Sequence, residues 1–245
     1  MNGDVDIAAV ACLIAEPARA SVLTALVEGR PLAASTLAGE AGVAPSTLSA
    51  HLARLVEGGL VTFERSGRNR YYRLASPEVA EVMETLARIA PARPVRSLNQ
   101  AMHTDAIRRA RSCYDHLAGR LGVALWDAIQ ADGLVELLDR PESARPREEA
   151  RTAMPDAYRL TARGREKLVP LGVAVEPAGR RPFIRTCIDW SERRPHLSGA
   201  LGASVFEAFL GRGWLRRDQR RVVRVTEAGR MSFVAEFGVA PDLVG

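Results

Sequence analysis

Two pairs of cysteine and histidine are the residues in this chain whose types could bind a metal or carry out thiol chemistry. Cys113 is followed by His116, and Cys187 is followed by His196. Thiolates and imidazoles bind tetrahedral zinc and other thiophilic metals, and two thiols also suit a redox switch. A helix would place Cys113 and His116, three residues apart, on one face, where both could bind one ion. Cys187 and His196 meet only if the chain folds back between them.

Both pairs belong to a sequence motif that occurs twice. The motif is Arg-Ser/Thr-Cys, an Asp two residues after the Cys, and then His-Leu-small-Gly-any-Leu-Gly. Duplication copies every residue of an ancestral unit, and free cysteine often acts as a small buried hydrophobe. Three interpretations therefore stay open, in the order in which the sequence favours them: a structural repeat, a pocket for a small organic effector that includes Trp126 or Trp190, and a metal or redox site.

The duplicated motif predicts two units of similar build in the second half of the chain. Each unit is predicted as helix, helix, Gly-Leu strand, loop, strand and helix, which is the order of a winged helix, and a long helix over residues 98 to about 117 begins the first. The charged, proline-containing loop at 140–151 is predicted to be a mobile wing. The matching loop at 216–221 is a basic hairpin tip that could touch DNA. Ligand binding or dimer stabilisation is nevertheless favoured for both units, because neither has a hydroxyl-rich helix face.

The first ninety residues show the start and stop signals of a helix-turn-helix. Pro17 suits the first turn of a helix, and a second short helix is predicted over 34–41. A third helix begins at Pro45 and carries leucines at helical spacing; two short helices joined by a Gly-containing turn form a helix-turn-helix. Alternating residues at 60–64 and 69–74 then predict a β-hairpin, which serves as a wing.

Polar residues of the third helix and of the hairpin predict contact with DNA. Short hydroxyls and a guanidinium contact phosphates and base edges in a major groove, and small side chains let the helix come close. Arginines interleaved with tyrosines on the hairpin suit backbone or minor-groove contact. His51 could donate to a phosphate or cap a packing contact. The predicted DNA-binding residues are Ser46, Thr47, Ser49, His51, Arg54, Arg68, Arg70 and Tyr71.

The segments EPARASVLTALVEG, LAGEAGVAPSTLSAHLARLVEGGLV and ERSGRNRYYRL resemble the winged helix-turn-helix of the ArsR/SmtB family of bacterial repressors, over residues 5–90. The resemblance implies a homodimer, paired through the helix before Glu16 and the helix after Pro77, on double-stranded DNA with a near-palindromic operator. It also implies a repressor that a signal releases. By the resemblance, Ser46, Thr47, Ser49 and His51 take the recognition-helix positions, and Arg68, Arg70 and Tyr71 lie on the wing.

The chain departs from the metal-sensing members of that family. Many of them use a Cys-x-Cys-type motif in the helix before the recognition helix, but the segment AASTLAGEAG has neither Cys nor His. Their other metal site uses Asp and His on the last helix of the domain, where this chain offers Glu78, Glu81 and Glu84, which we predict to form a solvated face. Any sensor must therefore lie in the second half, where zinc or another thiophilic metal at the two Cys/His pairs is the candidate cofactor.

Composition is that of an ordinary globular protein, with 47% hydrophobic and 26% charged residues. The net charge of +5 fits an acidic polymer as partner, although arginine enrichment can also follow from a GC-rich coding sequence. The first apolar run, residues 7–15, lacks a positive flank and is too short for a membrane span, and three cysteines are too few for a disulfide framework. We expect a cytoplasmic protein that does not enter a membrane.

The combined prediction is a mainly α fold with small β-hairpins (α+β). It consists of a winged helix-turn-helix for DNA binding and dimerisation at 1–90, a linker at 91–97, and winged-helix-like repeat units at 98–175 and 176–245. The predicted function is sequence-specific transcriptional regulation in response to an unidentified signal, with a small-molecule effector as one candidate. The alternatives are a DNA-architectural protein without an effector and a metal or thiol-redox sensor. No activated nucleophile or glycine-rich phosphate loop supports an enzyme.

Overall fold

The computed structural model describes residues 4–92, 94–138, 158–177 and 181–244. Contacts divide the chain into two compact units, residues 1–89 and residues 90–245. The loop at 140–151, which the sequence predicts to be a mobile wing, lies outside the described residues.

The N-terminal unit has the predicted helix-turn-helix followed by a hairpin. The side chain of Glu16 accepts a hydrogen bond from the Arg19 amide at 2.8 Å, with Pro17 in the first turn, so the second helix begins where its cap predicts. Gly42 ends the next helix with a left-handed φ of 66°. The helices are α1 Ile7–Ile14, α2 Pro17–Leu26, α3 Ala34–Ala41, α4 Pro45–Glu57 and α5 Pro77–Ile89; the strands are β1 Leu32–Ala33, β2 Val61–Ser66 and β3 Asn69–Leu74, in the antiparallel order β1-β3-β2.

The C-terminal unit alternates short antiparallel hairpins with helices. Its first repeat has α6 Leu98–Arg109, β4 Arg111–Cys113, β5 His116–Ala118, α7 Gly119–Ala131, β6 Val135–Leu137, β7 Tyr158–Leu160 and α8 Ala162–Leu168, which continues into a 3-10 turn at Val169–Leu171. Its second repeat has β8 Arg185–Ile188, β9 Pro195–Ser198, α9 Gly199–Gly211, β10 Leu215–Arg217, β11 Val223–Val225, α10 Glu227–Phe237 and α11 Pro241–Val244.

The predicted helix over residues 98 to about 117 is wrong beyond Arg109. The chain becomes extended at Ala110, with φ of −152°, and then forms the β4–β5 hairpin. Residues far along the sequence stabilise this extended segment: the Ser112 amide donates to the Arg221 carbonyl at 2.9 Å, and the Val223 amide donates to the Ala110 carbonyl at 3.0 Å. These contacts also bury Arg221 against the first repeat, so the basic tip at 216–221 is partly used in packing.

In each repeat the motif with the Cys and the His forms a hairpin, which in the first repeat follows α6 and in the second comes first. Cys113 pairs directly with His116 across β4–β5, and Cys187 pairs with His196 across β8–β9. The six additional residues of the second copy lie in the loop between β8 and β9, which leaves the pairing unchanged. Directly after each hairpin a glycine adopts a left-handed φ, 81° at Gly119 and 78° at Gly199, which explains the first glycine of the motif.

The two repeats also match at their second hairpins. Thr161 and Thr226 each cap the following helix by accepting a hydrogen bond from the amide of Gly164 or Gly229, both at 3.0 Å. A Cβ at Gly164 would lie 2.2 Å from the Leu134 carbonyl oxygen, so the Thr-x-x-Gly ending serves close packing of a helix on a strand.

Both repeats share one hydrophobic core. Trp126 of α7 and Phe206 and Phe209 of α9 are fully buried in it. Helix α7 packs chiefly on β9 of the second repeat, and α9 packs chiefly on β5 of the first. The four Cys and His residues therefore lie where the two hairpins meet.

Helix length and hydropathy bear on membrane insertion. Among the residues that the structure describes, no single helix is long and apolar enough to cross a membrane; α1 and α2 meet the criterion only as a pair, bent by 90°.

Candidate DNA-reading surface and Cys/His cluster

Helix α4 has one buried face and one exposed face. Leu48, Leu52 and Leu55 are at most 2% exposed and hold the helix on the domain core. The other side carries short polar side chains and one arginine, all exposed: Ser46, Thr47, Ser49 and Arg54. The helical period of 3.6 residues produces this separation, so the domain core fixes which side chains face outward.

Two polar residues of α4 have intramolecular partners. The Ser49 hydroxyl donates to the Pro45 carbonyl at 2.9 Å, which holds it close to the first turn. His51 is half-buried, and its Nδ1 lies 3.4 Å from a carboxylate oxygen of Glu16, so it braces α4 against the start of α2. A hydrogen bond from the Arg19 amide is the largest cause that lowers the pKa of Glu16, and His51 adds to it. His51 therefore makes a contact within the domain, and its contact with a phosphate stays a prediction.

The wing presents its arginines at the tip of the β2–β3 hairpin. Arg68 lies in the turn and Arg70 follows on β3, and both are exposed. The Arg70 guanidinium lies 5.0 Å from the centre of the Phe63 ring, a cation–π contact that orients it. Tyr71 is half-buried beside β1, with which β3 pairs. The wing therefore presents Arg68 and Arg70 outward on a two-stranded support, together with the exposed Arg65 and Arg73.

The two Cys/His pairs form one cluster. The Sγ atoms of Cys113 and Cys187 are 4.0 Å apart, and the ring centres of His116 and His196 are 5.1 Å apart. One ligand atom from each of the four residues lies within 4.8 Å of each of the others. The sequence predicted a shared helical face for the first pair, which is wrong; cross-strand pairing brings each Cys to its His instead.

The cluster is buried, and its imidazoles have unpaired nitrogens. Cys113, His116 and His196 are at most 6% exposed, and Cys187 is half-buried. Within the part of the chain that the structure describes, Nε2 of His116 and both ring nitrogens of His196 have no hydrogen-bond partner. An unpaired buried polar group costs about 1–3 kcal/mol, so this arrangement needs an explanation beyond packing.

An acidic residue stands next to each histidine. Asp115 Oδ1 lies 3.3 Å from Nδ1 of His116, and Asp115 is itself held by the guanidinium of Arg181. Burial opposes ionisation of Asp115, but Arg181 and His116 lower its pKa to about 2. Burial likewise opposes protonation of His116, yet Cys113 and Asp115 raise its pKa to about 9.

Asp189 occupies the equivalent position beside His196, with Oδ2 3.9 Å from Nδ1. It forms a fully buried ion pair with Arg111 at 2.9 Å and accepts a hydrogen bond from the Gly119 amide at 2.7 Å. Burial raises its pKa, but Arg111 and His196 outweigh that effect and lower it. Sequence reasoning missed both ion pairs; for Arg111 and Asp189 the repeated motif contained the signal, whereas Arg181 lies outside the motif.

Trp126 and Trp190, the two tryptophans of the effector-pocket interpretation, are both engaged in packing. Trp126 is fully buried in the shared core, and Trp190 packs against the Arg111 guanidinium at 4.5 Å from the ring centre. An open cavity of about 490 Å³ lies elsewhere, on α10 and α11, and its lining is Arg230, Met231, Val234, Ala235, Pro241 and Val244.

An outward polar face on the second helix of a helix-turn-helix, followed by a basic hairpin, defines a winged helix-turn-helix DNA-binding protein. A family model described as a helix-turn-helix domain matches residues 14–62. The HTH-type transcriptional regulator YdfF of Bacillus subtilis (strain 168) is 35% identical over 237 residues, which cover 96% of this chain and 98% of YdfF. The chain belongs to this family of HTH-type transcriptional regulators, and the match to YdfF includes the duplicated half.

Two further similarities cover about a third of the chain. The HTH-type transcriptional regulator Rv0081 of Mycobacterium tuberculosis (strain ATCC 25618 / H37Rv) is 33% identical over 76 residues, 31% of this chain and 67% of Rv0081. The solution structure of the homodimeric winged helix-turn-helix domain of Mb0332 from Mycobacterium bovis, titled a possible ArsR-family regulator, is 32% identical over 35% of this chain and 86% of that one, with a TM-score of 0.31. The family-model match and the full-length similarity to YdfF make the protein a DNA-binding transcriptional regulator.

Proposed function

We propose that this regulator is a homodimeric repressor of the ArsR type, which binds a near-palindromic operator through α4 and the wing and releases it when the C-terminal unit receives a signal. The observation that carries the proposal is the outward face of α4, where hydroxyls and Arg54 stand opposite the buried leucines. Small donors and acceptors on a rigid helix suit base edges, and the wing arginines suit phosphates.

Two apolar surfaces of the N-terminal unit support a dimer. Helix α1 has no buried residue, and Ile7 on it is 74% exposed. Helix α5 exposes Val82, Leu86 and Ile89 by 43%, 37% and 78%. A second copy of the chain, packed on these helices, would cover apolar side chains that otherwise face water. Two copies related by a twofold axis would read the two half-sites of a palindrome.

Footprinting on DNA upstream of the protein's own gene, at physiological salt, tests the operator proposal. We expect protection of a near-palindromic segment and an excess of specific over non-specific affinity of at least about a thousandfold. Binding without a specificity ratio, set by salt alone, would instead identify a DNA-architectural protein. In a reporter strain, deletion of the gene should raise expression from the protected promoter; a fall would overturn the repressor assignment.

The contribution of the wing to DNA binding is tested by the salt dependence of the affinity for DNA. Arg68→Ala should reduce the slope of log affinity against log salt by about 0.9 for each phosphate that the protein no longer neutralises. Arg163→Ala, an exposed arginine on α8, is the charge-matched control and should leave the slope unchanged. Equal effects of the two variants would mean that net charge alone drives binding.

The dimer is tested by sedimentation with Leu86→Asp. A buried, unpaired carboxylate in an apolar interface is strongly unfavourable, so the variant should sediment as a monomer and lose operator affinity. Val169→Asp, another half-exposed apolar residue but on the C-terminal unit, should remain a dimer. A wild-type chain that is monomeric at micromolar concentration would contradict the proposal.

A further inference from the structure

Cross-strand pairing and the meeting of two hairpins bring four metal-binding side chains to one point. Each hairpin supplies one thiol and one imidazole, on directly opposed residues. The hairpins belong to different repeats, and β5 lies next to β9. The cluster therefore consists of two equivalent halves, one from each repeat, whose side chains converge across the boundary between them.

We propose that Cys113, His116, Cys187 and His196 bind one thiophilic divalent metal ion, best fitted by Zn²⁺, and that this ion links the two repeats. Two thiolates and two imidazoles are an established donor set for closed tetrahedral zinc sites. With Zn–S bonds of about 2.3 Å, two sulfurs on one tetrahedral ion lie about 3.8 Å apart. The sulfurs of Cys113 and Cys187 are 4.0 Å apart, so that distance already fits.

The remaining distances need only a small adjustment. The four ligand atoms lie within 4.8 Å of one another, and the edges of a tetrahedral zinc site with these ligands are about 3.3–3.8 Å, so contraction by at most about 1.5 Å brings all four to bonding distance of one centre. The imidazoles are ready for this because Nε2 of His116 and both nitrogens of His196 lack hydrogen-bond partners among the described residues, while the rings are at least nine-tenths buried.

Acidic residues around the cluster orient the ligands. A metal-bound histidine usually donates its other ring N–H to a carboxylate, which fixes its tautomer and ring orientation. Asp115 is placed to accept from Nδ1 of His116 at 3.3 Å, which leaves Nε2 for the ion. Asp189 lies 3.9 Å from Nδ1 of His196, at the equivalent position in the second repeat. Arg181 and Arg111 hold these carboxylates in place.

The donor set also selects the class of ion. Soft thiolates favour zinc and other thiophilic metals over Mg²⁺ and Ca²⁺, which require oxygen ligands. Four protein ligands complete a tetrahedron, so this site is a closed cross-link. All four ligands come from one chain, and metal binding is measured on the protein without DNA. Its outcome is therefore independent of the proposed operator and of the proposed dimer.

Elemental analysis of the untagged full-length protein, purified under reducing conditions, tests the site. We expect about one zinc per chain in the wild type, and its loss in both Cys113→Ser and Cys187→Ser. Cys12→Ser is the matched control: Cys12 is exposed on α1, and this variant should keep the ion. Zinc retained in both cluster variants would overturn the proposal.

A second measurement avoids the risk that the variants fail to fold. Wild-type apo protein, prepared with a chelator and a reductant, is titrated with Co²⁺. We expect the intense visible bands of tetrahedral cobalt together with a thiolate-to-cobalt charge-transfer band, both saturating at one ion per chain and bleached by Zn²⁺. Absence of these bands in apo protein with native circular dichroism would overturn the proposal.

Thiol alkylation separates a metal site from a disulfide. In the metal-loaded protein only Cys12 should react with iodoacetamide, whereas removal of the ion should make the half-buried Cys187 reactive and leave Cys113, at 2% exposure, the slowest of the three. If intact mass instead shows a Cys113–Cys187 disulfide in protein purified without reductant, and the reduced form binds no metal, the cluster is a redox pair and the metal proposal is wrong.

Discussion

Three helices, α4, α7 and α9, have the same length and are each followed by a β-hairpin. They differ in how much of their surface is buried. Each has thirteen residues. Helix α4 buries three of them, whereas α7 buries seven and α9 buries six. A free polar face suits α4 to DNA, while α7 and α9 are covered by the hairpin of the other repeat. Of these three helices, α4 therefore keeps the exposed polar face on which the proposed DNA readout depends.

Glycines let α7 and α9 lie close to the hairpin of their own repeat. A Cβ at Gly122 would lie 2.6 Å from the Leu117 carbonyl oxygen, and a Cβ at Gly202 would lie 2.9 Å from that of Leu197. Both positions also face the other repeat: a Cβ at Gly202 would lie 3.4 Å from the His116 Cβ, and a Cβ at Gly122 would lie 3.8 Å from the His196 Cβ. Close approach of helix and hairpin thus depends on the second glycine of the repeated motif.

Breaking the buried ion pair of the C-terminal unit should have the largest effect. Arg111→Ala leaves Asp189 charged, buried and without its main partner, so we expect a loss of about 3–5 kcal/mol in the free energy of unfolding. All three tryptophans lie in this unit, so urea unfolding followed by tryptophan fluorescence reports on it alone. Arg159→Ala, which breaks an exposed pair with Glu136, should cost at most about 1 kcal/mol. Equal losses would mean that the buried pair contributes no more than a surface pair.

Replacement of a glycine by alanine should lower the free energy of unfolding when the glycine lies on α7 and raise it when the glycine lies on α3. Gly122→Ala forces a methyl group against backbone and should destabilise the C-terminal unit by about 1–3 kcal/mol. Gly39→Ala on α3, where no atom of the described residues lies within 4 Å of the new Cβ, should stabilise the N-terminal unit by about 0.5–1 kcal/mol. Calorimetry of the full chain measures both. A neutral Gly122→Ala would show that the helix and hairpin are packed more loosely than described.

Substitution on the outer face of α4 should change DNA binding without changing stability. In the double variant Ser46→Ala, Thr47→Ala both side chains are exposed, so the unfolding transition should be unaltered. Operator affinity should fall by about tenfold, or about 1.4 kcal/mol, while affinity for unrelated DNA stays the same. Competition binding with the two DNAs gives the ratio. An unchanged ratio would remove these hydroxyls from sequence readout.

Local signals were enough to predict the N-terminal unit. Pro17, Pro45 and Gly42 mark helix ends by their own backbone preferences, and the leucines of α4 indicate its buried face. The duplication was equally visible. The β4–β5 hairpin was not, because the partners that hold it extended, Arg221 and Val223, are more than a hundred residues away.

The geometry of the Cys/His cluster also lay beyond local reasoning. The residue types were recognised from the sequence, but the spacing of nine between Cys187 and His196 concealed a pairing identical to that of Cys113 and His116. Convergence of the two halves depends on how the repeats pack, which no local pattern specifies. The ranking of the three interpretations of the Cys/His pairs changes as well. The sequence favoured a purely structural repeat, whereas the sulfur separation of 4.0 Å is compatible with a shared ion.

Each repeat packs its helix on the hairpin of the other, α7 on β9 and α9 on β5. This reciprocal packing bears on the origin of the C-terminal unit and on what a single repeat can do alone. The C-terminal unit resembles a dimer joined in one polypeptide, because each repeat packs its helix on the hairpin of the other and supplies one Cys and one His to the cluster. A single repeat produced alone has no partner hairpin for its helix and supplies half of the cluster. We expect it to regain both only by pairing with a second copy, which would rebuild in two chains what the duplication joined in one.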